Sequence, residues 1–281
     1  MPPLLKIRSE RDQMSAIERR IADFLLENAH LLRDYSSQQL ADALKISQSS
    51  VVKFSQKLGF KGYPDLKFSI GEAVARTNGN ETARVERATR SKRVPPTESL
   101  WLGKTRAEEE TRIITPAETL AAAATLFDNA GKVFVFGAGE EGGQVQSFAN
   151  KVAALGVTTV AQTDAALMTA HVASVEPGDV LCVIAEHGKA SVLTQLCKQF
   201  RERRGKIVSI TRNTGNALRL QSDVALLVSA HDDRPEIEAL LYQSMLQHLL
   251  DLLFLSLCEA DDARLKRWQA SVQRAKQLHE T

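Results

Sequence analysis

Residues 37–58 read SQQLADALKISQSSVVKFSQKL, and they decide how the front of this chain folds. Ser37 is read as the N-cap of a first helix whose apolar face is Leu40, Ala41 and Leu44. Lys45-Ile46-Ser47 makes a tight connection, with Ser47 as the next N-cap. The second helix buries Val51, Phe54 and Leu58, and Gly59 stops it at the C′ position. Its other face shows Gln48, Ser49, Ser50, Lys53, Gln56 and Lys57. Two readings fit this periodicity. One is a helical hairpin with a solvated polar face; the other is a helix-turn-helix. In the second, neutral hydrogen-bonding side chains sit at the N-terminal end of the helix, where base edges lie. They can read bases without desolvating a charge, and the lysines reach phosphates or a guanine. The candidate DNA-contacting residues are therefore Ser37, Gln48, Ser49, Ser50, Lys53, Gln56 and Lys57.

Charge along the 281 residues agrees with a polyanion partner at this end. The formal net charge is only +2, but residues 1–97 carry 17 basic and 11 acidic side chains while the remainder is net acidic. The length suggests about two domains. Residues 1–76 read as short helices, and 77–97 contain almost no large apolar side chains and end in Pro95-Pro96, the composition of a linker. Residues 98–281 form the second domain. The most apolar run, Leu249 to Cys258, is interrupted by Asp251 and falls short of the roughly 20 residues a spanning helix needs. No apolar signal core follows Met1, so the expectation is a cytoplasmic protein with no membrane partner. Cys182, Cys197 and Cys258 are too scattered for a disulfide framework or a metal site, and they read as buried thiols.

The second domain alternates short Val- and Ile-rich runs with helical patterns. A single helix is expected over about 100–128. Strands are expected at Lys132–Phe136, Thr158–Ala161, Val180–Ala185, Lys206–Ile210 and Val224–Val228, with helices at about 141–155, 165–174, 189–203 and 214–221 between them. That order implies an α/β domain, a five-stranded parallel sheet with helices on both faces. An apolar helix, Pro235–Cys258, and a charged one, Asp262–Leu278, end the chain. The apolar helix must be covered on more than one side, by its own sheet or by a second subunit.

The first strand runs into Gly137-Ala138-Gly139-Glu140-Glu141-Gly142. Taken literally this is a G-x-G-x-x-G dinucleotide fingerprint, with Asp164 near the spacing of a ribose ligand. It is equally a glycine turn closing a helix onto a sheet, or a place where a ligand approaches backbone and helix N-terminus.

Longer motifs resemble a known family. The early helix Ser15–Ala22, the stretch Ser37–Ala41 and the run Val51–Lys67, VVKFSQKLGFKGYPDLK, resemble the N-terminal domain of RpiR-type bacterial transcription regulators. Many relatives place Arg where this chain has Lys53, a point donor instead of a fork. The second half resembles the sugar isomerase (SIS) domain through Gly137-Ala138-Gly139, Lys151–Gly156, Asp164, Pro177-Gly178-Asp179-Val180, Ile184–Gly188, the "IVSITRN" strand and Ser222-Asp223. The resemblance implies an all-α helix-turn-helix domain that binds double-stranded operator DNA, and a SIS domain that binds a sugar-derived effector and forms a homodimer or tetramer. It implies no cofactor. The implied effector residues are Gly137, Gly139, Glu140, Glu141, Glu186, His187, Gly188, Lys189 and Thr211.

The family's phosphate cradle is not intact here. Glu140 and Glu141 stand at the first motif, and Ala185-Glu186-His187-Gly188-Lys189-Ala190 replaces the hydroxyl-bearing pattern at the third strand. Each close carboxylate–phosphate pair costs on the order of 1 kcal/mol even in water. Three outcomes follow: Lys189 and His187 pair with the carboxylates and keep phosphosugar binding, the ligand is an amine-bearing or uncharged sugar derivative, or no ligand binds. A sugar-phosphate isomerase remains an alternative, with His187, or His171 or His248, as base. A nicotinamide-responsive repressor is another. The reading preferred is a regulator, not an enzyme.

Overall fold

A computed structural model describes residues 2–29, 35–73, 95–189, 191–232 and 234–279. The chain divides into two compact units, Met1–Ser99 and Leu100–Thr281.

The first unit is helical: α1 (Pro3–Glu10), α2 (Ala16–Glu27), α3 (Ser37–Ala43), α4 (Gln48–Lys57) and α5 (63–73). Ser15 and Glu18 form a reciprocal capping box at the start of α2. The cap of α3 is Ser36, not Ser37: its hydroxyl accepts from Gln39 N while Gln39 bonds back to Ser36 N. Ser36-x-x-Gln39 is a complete capping box, whereas Ser37 has Leu40 three residues on. Ser47 caps α4 as the sequence indicates, and Gly59, at φ +83°, ends it. Ile7, Ile21, Leu25, Leu40, Val51, Phe54, Leu58, Leu66 and Ile70 share one core. The residues expected as a linker, 77–97, lie outside the described residues except at their end, where Pro96 already opens a helix.

The second unit opens within α6 (Pro96–Ile114) and continues with α7 (Ala117–Asp128), two helices where one was expected. Pro116 supplies no N–H and drives Thr115 out of helical geometry. The Thr115 hydroxyl then stitches the break to the sheet edge, donating to Leu227 O at 3.0 Å and accepting from Leu227 N at 2.8 Å. There follow β1 (Val133–Gly137), α8 (Gly142–Ala154), β2 (Thr159–Gln162), α9 (Ala165–Val172), β3 (Val180–Ile184), α10 (Ser191–Glu202), β4 (Lys206–Arg212), α11 (Ala217–Gln221), β5 (Val224–Val228), α12 (Pro235–Glu259) and α13 (Asp262–His279).

All five strands are parallel in the order β2-β1-β3-β4-β5. β1, β3 and β4 are covered on both faces. Val133 and Val135 join the core shared with α7, α8 and α12, while Phe134 and Phe136 join the opposite one with α9, α10 and α11. Two polar side chains at strand ends act here as structural fasteners. Buried Asp179 accepts from the N–H groups of Lys132 and Glu176, both at 2.9 Å, and Asp223 accepts from Ile207 N at 2.9 Å. The three cysteines are buried, and burial pushes the thiols of Cys182 and Cys197 up to about 12.

At 25 residues α12 is long and apolar enough to cross a bilayer, so the short run seen in the sequence understates it. Leu241, Tyr242, Leu246, Leu249, Leu250 and Leu253 are nonetheless buried in the unit's own core. For these residues the helix packs on its own domain.

Candidate functional site

Two places gather the chemistry, one in each unit. In the first, α4 turns Val51, Phe54, Ser55 and Leu58 inward and leaves Gln48, Ser49, Lys53, Gln56 and Lys57 exposed, with Ser50 half-buried. Lys45, at φ +50°, makes the tight turn, and the Arg20 guanidinium caps it by donating to Leu44 O. Gln48 Nε2 donates to Ser37 Oγ at 2.8 Å, so these two residues form one polar ledge across the helix pair. Ser47 Oγ lies 2.9 Å from Ser49 Oγ and 2.8 Å from Ser50 Oγ, a hydroxyl cluster at the positive end of the helix. Lys57 is placed differently from the expectation. Its ammonium sits 2.9 Å from both Glu18 oxygens, tying α4 to α2, and this bond holds the Glu18 carboxyl below its usual range. Lys53, midway along α4, is exposed and carries an outward charge.

In the second unit, the loops leaving β1, β3 and β4 meet at the C-terminal edge of the sheet. The strand order reverses between β1 and β3, the crevice where open α/β sheets bind ligands. Gly139, at φ +77°, turns the chain into a single 3-10 turn that delivers Glu141 inward. Glu141 is buried, and its Oε1 accepts from Glu186 N at 2.9 Å. Gly188 has φ +59° and no room for a side chain, because a Cβ there would overlap the Asn216 side chain.

The cation that Glu186 meets is Arg212, not Lys189. Arg212 Nη1 lies 3.3 Å from Glu186 Oε1, and Nη2 donates to Glu238 Oε1 at 2.6 Å and to Ala230 O. The guanidinium is 12% exposed and the two carboxylates about a quarter. Burial raises the Glu186 carboxyl, helped by the charges of Glu141 and Glu238 and opposed by His187 and Arg212. Burial acts likewise on Glu238, but the hydrogen bond and charge of Arg212 outweigh it and hold that carboxyl low. His187 is exposed, 4.0 Å from Glu186, and His231 lies 3.4 Å from Glu238. Tyr242, one turn beyond Glu238 on α12, is fully buried, and its hydroxyl has no partner among the described residues. Burial, then the charges of Glu141 and Glu186, push this phenol well above 10.

Among the expected effector residues, the structure brings Glu141, Glu186 and His187 together. Glu140 and Lys189 are exposed. Thr211 is fully buried: its hydroxyl donates to Arg212 O and accepts from Asn216 Nδ2, so it braces the loop and does not line the crevice. Asp164 caps α9 by accepting from Ala166 N and Leu167 N, which accounts for it without a ribose. Sequence reasoning missed Arg212, Glu238 and Tyr242. Glu238 and Tyr242 stand at i, i+4 on one side of α12, a spacing that places them together.

Residues 1–77 match the model of the helix-turn-helix domain of the rpiR family, and residues 126–256 match the SIS domain. The HTH-type transcriptional regulator YfhH of Escherichia coli (strain K12) is 32% identical over 268 residues, covering 93% of each chain. This chain belongs to the rpiR family of helix-turn-helix transcriptional regulators. Two solved structures share the fold of this rpiR-family regulator. The Vibrio vulnificus NanR protein complexed with ManNAc-6P aligns with a TM-score of 0.59 at 20% identity, over 98% of both chains. The sugar isomerase domain of an RpiR transcription factor from Sphaerobacter thermophilus aligns at 0.55 and 16% identity, over 63% of this chain and 97% of that one.

Proposed function

We propose that this regulator represses transcription by placing α4 of two subunits in successive major grooves of an operator. A sugar-derived effector bound at the β1/β3 crevice resets it. The observation that carries the first half is the outward ledge of Gln48, Ser49, Ser50 and Lys53 on α4, joined by Ser37 from α3, with the other side of both helices in the core. Ser and Gln there read base edges while Lys53 supplies charge. Gln56 contributes farther along the groove, and Lys57 acts by fixing the angle between α4 and α2.

The effector half is supported by the convergence of Gly137, Gly139, Glu141, Glu186, His187 and Gly188 at the strand-order reversal, and by the sugar phosphate named with the NanR neighbour. The effector acts by binding one arrangement of the subunits better than the other, which changes the spacing of the two recognition helices. The crevice senses and does not catalyse. What supports this reading is that His187 is exposed, 4.0 Å from Glu186, with no second group orienting it among the described residues, and that the chain carries a DNA-binding domain.

The test uses duplex fragments selected by the full-length protein from genomic DNA, with binding followed by fluorescence anisotropy. Replacing Gln48, Ser50 and Lys53 together by Ala abolishes selective binding while the helical circular dichroism is retained. Unchanged selectivity in the triple variant overturns the reading.

A further inference from the structure

We infer that the effector crevice takes an amine-bearing, unphosphorylated sugar, its ammonium held among Glu141, Glu186 and Tyr242. This deepens the proposed function and rests on its effector half.

The first ground is that the buried guanidinium of Arg212 and the backbone N–H of Glu186, two donors an anion at the cluster would need, are already engaged. Arg212 is the guanidinium in the cluster, and its donors go to Glu186, Glu238 and Ala230 O. The backbone N–H of Glu186, which heads the β3 loop, is taken by the Glu141 carboxylate at 2.9 Å. Glu141 thus occupies from within the protein the place an incoming anion would need. A phosphate dianion would have to displace a buried carboxylate and then sit against it.

The second ground is that the cluster is short of positive charge. Glu186 and Glu238 face the guanidinium of Arg212, and the Glu141 carboxylate lies against the backbone N–H of Glu186. His187 and His231 stand at its rim beside Glu186 and Glu238 and carry charge only when protonated. Burial already disfavours the ionised Glu186. An ammonium group supplies the missing charge and three donors for the carboxylate oxygens.

The third ground is independent of charge. The Tyr242 hydroxyl is fully buried, has no partner among the described residues, and is close enough to Glu141, Glu186 and Arg212 to feel their charges. A buried hydroxyl without a partner is costly, and it marks a position that a ligand atom completes. Asn213, which follows Arg212, also has both amide atoms buried and unpartnered among the described residues. A polyhydroxylated ring supplies partners of that kind.

Isothermal titration calorimetry of the full chain tests this with glucosamine, galactosamine and mannosamine, their N-acetyl forms, their 6-phosphates, and inorganic phosphate. At least one free amino sugar binds tenfold or more tighter than its N-acetyl and 6-phosphate forms. Glu186→Gln weakens it at least tenfold. Tyr242→Phe, which removes an unpartnered hydroxyl and keeps the ring packing, weakens it several-fold without lowering the melting temperature. Affinity falls on acidification, because protonating Glu186, whose carboxyl burial raises, removes its charge. If the 6-phosphates or N-acetyl forms bind better, the inference is overturned and the sensing role of the crevice stands. If no sugar of any kind binds or changes operator affinity, both fall.

Discussion

Replacing Arg212 with Met strands two carboxylates. The guanidinium meets Glu186 at 3.3 Å and Glu238 at 2.6 Å, and Met keeps much of its length without its charge. Removing one partner of a fully buried ion pair costs about 3–5 kcal/mol. Arg212 is 12% exposed, but Glu186 and Glu238 are 25% and 27% exposed, so water shields part of the loss. Discounting by roughly half gives about 1.5–2.5 kcal/mol at pH 7, or about 3–10 °C for a unit of this size. The sign of the pH dependence is specific. Without Arg212 both carboxyls are raised above their unfolded values, so the folded variant binds more protons than its unfolded chain. Its deficit is therefore largest near neutrality and shrinks as pH falls towards 5. Trp101 and Trp268 both lie in the second unit, and Trp268 packs on Phe254 at 4.9 Å between ring centroids. Tryptophan fluorescence in urea thus follows this unit alone. A loss below about 0.5 kcal/mol at pH 7, the scale of an ordinary surface change, or a deficit that grows on acidification, refutes the assignment of Arg212 as the cluster's counter-ion.

Three further outcomes are expected. Ser47→Ala removes the cap of α4 and lowers the stability of the first unit by about 1 kcal/mol, read by urea unfolding of the full chain with helical circular dichroism. Lys53→Ala reduces the slope of log affinity against log salt for duplex DNA by about 1, whereas Lys57→Ala leaves the slope nearly unchanged and instead reduces the acid sensitivity contributed by Glu18, which keeps its bond to Ser15 N. That contribution is present above the ordinary glutamate value and is lost as pH falls through the lowered carboxyl of Glu18, so thermal melts at pH 7 and pH 4 separate the two lysines. Gly188→Ala puts a methyl group into Asn216 at a left-handed backbone position. It costs at least about 1–2 kcal/mol from the backbone alone, and effector titration shows lost response if the β3 loop shapes the crevice.

Much of the architecture was legible in the residues taken alone. The strand Val224–Val228 falls on its expected bounds, and the others shift by a residue or two, because short apolar runs between turns admit few alternatives. Ser47 and Gly59 were readable as α4's boundaries because capping and a left-handed turn are local chemistry. The α6–α7 break was hidden by an apolar pattern that continues through Pro116, although the proline itself was the warning. The Arg212 cluster was not legible. Glu186 and Glu238 each lie 26 residues from Arg212, on opposite sides of it in the chain. No periodicity connects them, and only the parallel sheet carries the end of β4 to the β3 loop and the start of α12. The same holds for the roles of Glu141, Lys57 and Thr211. Sequence determined which side chains were available and which surfaces had to be buried, since both follow from local spacing and water. The folded chain decided which charges face each other, because that depends on strand order and on which neighbours exclude solvent.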